Sequence, residues 1–114
     1  MKIETEQRDN ITLIKPIARR LDASVALRFK EEVLAIIESG APALVLDFSQ
    51  VDFIDSSCLG SLVSLLKAAN GRSALVLCSL NSNIKNMFSL TRMDRVFTLC
   101  NSREDAFATL SPSA

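Results

Sequence analysis

Hydrophobic and polar positions divide the chain into short apolar stretches and longer periodic ones. Ile3 to Gln7 and Ile11 to Ile17 are separated by the polar Arg8-Asp9-Asn10, which suits a hairpin turn between two antiparallel strands. Pro16 points to an edge or bulge position, because proline has no N–H to give to a ladder. After Leu21, either Asp22 or Ser24 can cap a helix whose apolar residues Val25, Phe29, Val33, Ile36 and Ile37 follow the helical period, with Lys30, Glu31 and Glu38 facing water. Gly40 and Pro42 are its stop signals.

The punctuation then repeats. Gly40-Ala41-Pro42 before the apolar run Ala43-Leu44-Val45-Leu46 is echoed 31 residues later by Gly71-Arg72-Ser73 before Ala74-Leu75-Val76-Leu77. That interval is the length of a strand, crossover helix and strand, so the two runs are predicted to be buried parallel neighbours. Asn81 or Ser82 can cap a further helix carrying Ile84, Met87, Phe88 and Leu90, and Val96 to Leu99 reads as a strand. The last helix begins near Asn101-Ser102, where Ser102-Arg103-Glu104-Asp105 has the form of a capping box, and presents Ala106, Phe107 and Leu110. Ser111 to Ala114 are expected to fray. The elements predict a single domain over residues 1–114, of the α/β class bordering on α+β, with a mixed five-stranded sheet and about four helices.

Composition narrows the function. The 114 residues suffice for one buried core, and 48% hydrophobic with 23% charged residues is an ordinary globular balance. Thirteen basic and thirteen acidic side chains cancel, leaving no basic footprint for nucleic acid and no polybasic patch for anionic lipid, so neither is an expected partner. The chain has no histidine. That removes the usual general base and the commonest metal ligand, and with them Ser-His-Asp or Cys-His catalysis; a non-enzyme without metal or cofactor is expected. The acidic start Met1-Lys2-Ile3-Glu4-Thr5-Glu6 and the lack of a long apolar run predict a cytoplasmic protein. Cys58, Cys78 and Cys100 are too widely spaced for zinc-binding pairs and are expected to be reduced, the last two as small core residues.

The segment from Asp47 to Gly60 holds the candidate chemistry, since strand ends and the helix N-termini that follow them gather functional groups in α/β sheets. In the helix after it, Leu59, Leu62, Val63 and Leu66 are predicted to face inward, leaving Ser57, Ser61, Ser64 and Ala68 as a small, uncharged outward stripe. Two readings of its start stand side by side. Asp55 or Ser56 can simply cap the helix. Alternatively, an exposed serine at the N-terminus can accept phosphate, which the unpaired N–H groups and the helix dipole stabilise. A hydrolase-type serine elbow is disfavoured by the missing glycines and histidine, and a nucleotide-cradling loop by the lone Gly60.

Phe53-Ile54-Asp55-Ser56-Ser57-Cys58-Leu59-Gly60 resembles the signature of the STAS family, the domain of bacterial anti-sigma factor antagonists. Leu21-Asp22-Ala23-Ser24, Leu44-Val45-Leu46-Asp47-Phe48-Ser49 and Leu90-Thr91-Arg92-Met93-Asp94-Arg95-Val96-Phe97 match further landmarks in order and spacing. The resemblance implies a partner switch. An anti-sigma factor that is also a serine kinase, carrying ATP and magnesium, phosphorylates the serine after the aspartate, here Ser56 with Ser57 as second choice; a serine phosphatase reverses it. Asp55, Ser56, Ser57, Cys58, Gly60, Ser61 and Ser64 are the partner-binding residues so implied. Alternatives are the same switch acting on an effector in biofilm, motility or stress signalling, or a small nucleotide- or ligand-binding domain using the loop around Asp52 and Asp55. Two residues depart from the family pattern. Cys58 stands for a glycine, with consequences expected for partner fit. Arg92 also stands where glycine is common, and a left-handed stop suits arginine poorly, so that helix is expected to end another way.

Overall fold

The computed structural model describes residues 1–111. The polar turn at Asp9, which takes a positive φ of 54°, joins β1 (Lys2–Arg8) to β2 (Ile11–Ile17) in an antiparallel hairpin. A short strand β3 (Arg20–Leu21) leads into α1 (Ala23–Glu38), and Asp22, not Ser24, is its cap: the Asp22 carboxylate accepts the Ser24 N–H at 3.0 Å. Gly40, at φ 94°, lets the chain leave the helix for β4 (Ala43–Asp47). Then come β5 (Phe53–Ile54), α2 (Ser56–Ala69), β6 (Ala74–Cys78), α3 (Ser82–Leu90) capped by Asn81, a 3₁₀ turn at Met93–Arg95, β7 (Thr98–Cys100) and α4 (Arg103–Leu110).

Five strands form a mixed sheet in the order β1-β2-β4-β6-β7. The repeated punctuation has its predicted meaning: Ala43 lies opposite Ala74 and Leu46 opposite Leu77 in parallel register. Alternation along these strands sends Ile14, Leu44, Leu46, Leu75 and Leu77 into a core with α1, α2 and α3. Ile11, Leu13, Ala43, Val45, Val76 and Cys78 form a smaller core with Ala106 and Phe107 of α4 on the opposite face. The two-residue strands β3 and β5 pair in parallel as a separate ribbon, with Arg20 opposite Phe53 and Leu21 opposite Ile54. Two residues are too few to leave a periodic signal, so this ribbon has no counterpart in the hydrophobic pattern.

Several expectations are corrected. Leu90 is 86% exposed and Val96 also faces solvent, since β7 begins only at Thr98. Cys100 is half-buried on an edge strand and does not join the fully buried core. Arg92 itself adopts the left-handed conformation, φ 60° and ψ 18°, so α3 does end as it would with glycine there. Ser111 is anchored, its N–H and hydroxyl both donating to the Phe107 carbonyl at 2.9 and 2.7 Å. The remaining residues expected to fray, 112–114, lie outside the described residues.

Candidate functional site

The segment from Val51 to Ser57 is held from three directions. The Asp52 and Phe53 N–H groups donate to the Arg19 carbonyl at 2.7 and 3.1 Å, and Asp55 N–H reaches the Leu21 carbonyl at 3.4 Å. Arg19 Nε donates to Asp52 Oδ2 at 2.9 Å, an exposed pair. From the third side, Asn81 Nδ2 donates to the Asp52 carbonyl at 2.9 Å while its oxygen caps α3.

Asp55 joins two helices. Its Oδ1 accepts the Cys58 N–H at 3.0 Å, capping α2, and its Oδ2 accepts the Ala23 N–H at the start of α1, also at 3.0 Å. One carboxylate therefore satisfies an otherwise unpaired donor at each helix N-terminus. The ribbon explains the geometry, because parallel pairing of Leu21 with Ile54 brings Asp22 and Asp55, and the helices they begin, side by side. Of the two residues offered as the cap, Asp55 takes that place, and Ser56 and Ser57 are the first residues of α2, both exposed. Asp22 is held below the usual carboxylate range by the Ser24 hydroxyl and N–H.

The inward face of α2 is rotated from the predicted one. Cys58, Leu62, Leu65 and Ala69 are buried, while Leu59, Val63 and Leu66 are half-buried. Cys58 is 0% exposed, and burial, reinforced by the Asp55 charge, pushes its thiol up to about 12. Its place among the partner-binding residues is therefore withdrawn, and so is any effect on partner fit through direct contact: the side chain packs the core. Of the predicted stripe, Ser57 and Ser64 are exposed and Ser61 and Ala68 half-buried; Ser56 and Gly60 beside it are exposed. Apart from its chain neighbours and the backbone of its own helix, nothing lies within 4 Å of the position a Gly60 Cβ would occupy.

Two exposed apolar residues were missed by the sequence pattern. Leu27, 63% exposed, lies off the buried stripe of α1. Phe53, 39% exposed, lies beneath Arg20, whose guanidinium carbon is 4.4 Å from the ring centre. Leu27 could have been found as the leucine out of phase with Ala26, Phe29 and Val33; Phe53 needed the ribbon. Beside Phe53 a groove of about 260 Å³ is lined by Asp52, Ile54, Asn83, Ile84 and Met87. Among the described residues no helix is long and apolar enough to cross a membrane.

Comparison with known proteins matches this arrangement to a family: the STAS domain profile covers residues 2–106. The chain belongs to the STAS domain family. It is 31% identical over 111 residues to BtrV of Bordetella bronchiseptica, named as an anti-sigma factor antagonist, covering 95% of this chain and 93% of that protein. It is 28% identical over 102 residues to the anti-sigma-B factor antagonist of Listeria monocytogenes, covering 89% and 90%. The crystal structure of a Thermotoga maritima protein described in the same terms superposes with a TM-score of 0.87 at 26% identity, over 95% of this chain and 93% of that one. The STAS fold thus accounts for the mixed sheet and the four helices around it.

Proposed function

We infer that this STAS domain is an anti-sigma factor antagonist controlled by phosphorylation of Ser56. Unphosphorylated, it binds an anti-sigma factor that is also a serine kinase and so releases a sigma factor for transcription; phosphate on Ser56 dissociates the complex, and a serine phosphatase restores it. The supporting observation is the exposed Ser56 at the first position of α2, beside the uncharged surface of Ser57, Gly60 and Ser64, with Asp55 fixing the helix start. The names of its relatives support the same partner class.

The physical basis is a large change on a neutral surface. A phosphoserine adds about 1.5 to 2 negative charges and three strong acceptor oxygens. If repulsion and desolvation weaken the complex by about 3 kcal/mol, affinity falls more than a hundredfold. The domain itself needs no catalyst, because the kinase brings ATP and magnesium. Incubation with the candidate kinase and ATP should place phosphate on Ser56 by mass spectrometry and dissociate the complex on gel filtration. Ser56→Ala should stay bound and Ser56→Asp or Ser56→Glu should bind weakly. Phosphate on neither Ser56 nor Ser57, or equal affinities for these variants, would overturn the assignment. The switch chemistry is the same if the partner controls biofilm, motility or stress signalling. The groove beside Asp52 and Phe53 favours one second reading, a small-ligand site, which saturable nucleotide binding by the isolated domain would establish.

A further inference from the structure

Cys78 and Cys100, distant in sequence, lie opposite one another in parallel register on β6 and β7. Neighbouring strands run about 4.8 Å apart, within the span of about 4.4–6.8 Å between Cα atoms that a disulfide bridges. The side chains also share a face. Cys78 belongs to the core under α4 and Cys100 packs against that same core, whereas Leu77 and Leu99 turn to the opposite side. Cys100 Sγ is 3.6 Å from Thr109 Oγ1 of α4, so both thiols lie beneath one helix. Both are free, Cys78 buried and Cys100 half-buried on the edge strand.

We propose that Cys78 and Cys100 are a redox-sensitive pair that hydrogen peroxide closes into an intramolecular disulfide, clamping the edge strand β7 to β6. Burial pushes the Cys78 thiol up to about 11, so the half-buried Cys100 is the one that meets the oxidant. Its thiolate attacks the peroxide: an S–O bond forms, the O–O bond breaks, and one water leaves after protonation, giving a sulfenic acid. Cys78 then attacks that sulfur as its thiolate. The S–S bond forms, the S–O bond breaks, and a second water leaves, so two thiols and hydrogen peroxide give one disulfide and two waters.

The closed loop would contain α3 and the 3₁₀ turn, and its ends already share a hydrogen bond from Ser79 N–H to the Cys100 carbonyl at 3.2 Å. The test treats the full chain with hydrogen peroxide, alkylates the remaining thiols in denaturant and maps proteolytic peptides without reduction. The expected product links the Cys78 and Cys100 peptides within one chain, lighter by two hydrogen atoms, is undone by dithiothreitol and leaves Cys58 alkylated. Its unfolding midpoint should exceed that of the reduced protein. The Cys100→Ser variant, changed at a half-buried edge position, should keep Cys78 alkylatable after the same treatment. Further oxidation of Cys100 with Cys78 still alkylatable, a disulfide only between chains, or no reaction overturns the proposal.

Discussion

Asp55 ties together the starts of two helices beside the serine proposed as the phosphate acceptor. It spends both carboxylate oxygens on backbone donors, one in each of two helices. A lost cap costs about 1 kcal/mol, so Asp55→Ala should lower unfolding free energy by about 2 kcal/mol in a urea titration. Asp55→Asn keeps one acceptor for the Cys58 N–H but turns a donor toward the Ala23 N–H, and should fall by an intermediate amount. A loss in the alanine variant no larger than that of a surface substitution would show that the bridge between helices contributes nothing. In the proposed switch, phosphate on Ser56 would stand next to the Asp55 carboxylate, whose two oxygens are already committed to other donors. Phosphorylation there adds like-charge repulsion to the partner's desolvation cost.

At the scale of elements, the surface of α2 and the end of α3 invite two opposite tests of glycine. Gly60 is helical with open space around its missing side chain, so Gly60→Ala should raise stability by about 0.5–1 kcal/mol through lower unfolded-state entropy and better helix propensity. The same methyl should weaken partner binding if another chain approaches this surface closely; calorimetric unfolding and titration with the anti-sigma factor would read the two effects separately. Arg92 presents the converse case. A non-glycine residue in the left-handed region costs about 1–2 kcal/mol, so Arg92→Gly should stabilise the domain by about 1 kcal/mol in chemical denaturation, after allowance for the entropy of the unfolded glycine. The sequence indicated a conflict at this position, but the expected outcome, a helix end of another kind, is not the one the chain adopts. Arg92 bonds back to the Ser89 carbonyl at 3.1 Å while Phe97 downstream packs edge-on against Phe88, their centres 5.6 Å apart. That packing fixes where the chain must go and overrides the local preference. The rotated face of α2 has a related origin: Cys58 counts as small and neutral in a hydrophobic pattern, yet its phase with Leu62, Leu65 and Ala69 decides which side is inward. The larger plan was legible because β4 and β6 repeat their glycine-bounded runs, whereas the ribbon of β3 and β5 rests on two-residue pairing that no period reveals.

Across the whole molecule, the sheet separates the surface around Ser56 from α4. Helices α1, α2 and α3 share one core with the site, and α4 covers the other face with Ala106 and Phe107. Only part of that attachment is apolar. Arg103, at the start of α4, donates through a terminal nitrogen to Asp47 Oδ2 at 2.9 Å, and the Asp47 side chain is 2% exposed. Its other oxygen accepts the Ser49 N–H at 2.9 Å, at the beginning of the segment that runs to Asp55. Arg8 adds a guanidinium 4.1 Å from the centre of the Phe107 ring. Removing Arg103 would leave a buried carboxylate without its counter-charge. Breaking a buried pair costs about 3–5 kcal/mol, but Arg103 is one-third exposed and water can reach the vacated place, so Arg103→Met should lose about 2–3 kcal/mol. Denaturant unfolding measures that loss, and a double-mutant cycle with Asp47→Asn separates the pair's coupling from the cost of the stranded charge. Since α4 does not contribute to the surface around Ser56, the variant should still accept phosphate there under conditions where it remains folded. Loss of phosphorylation by a folded Arg103→Met protein would instead mean that the Asp47–Ser49 connection carries changes at α4 through the sheet to the switch.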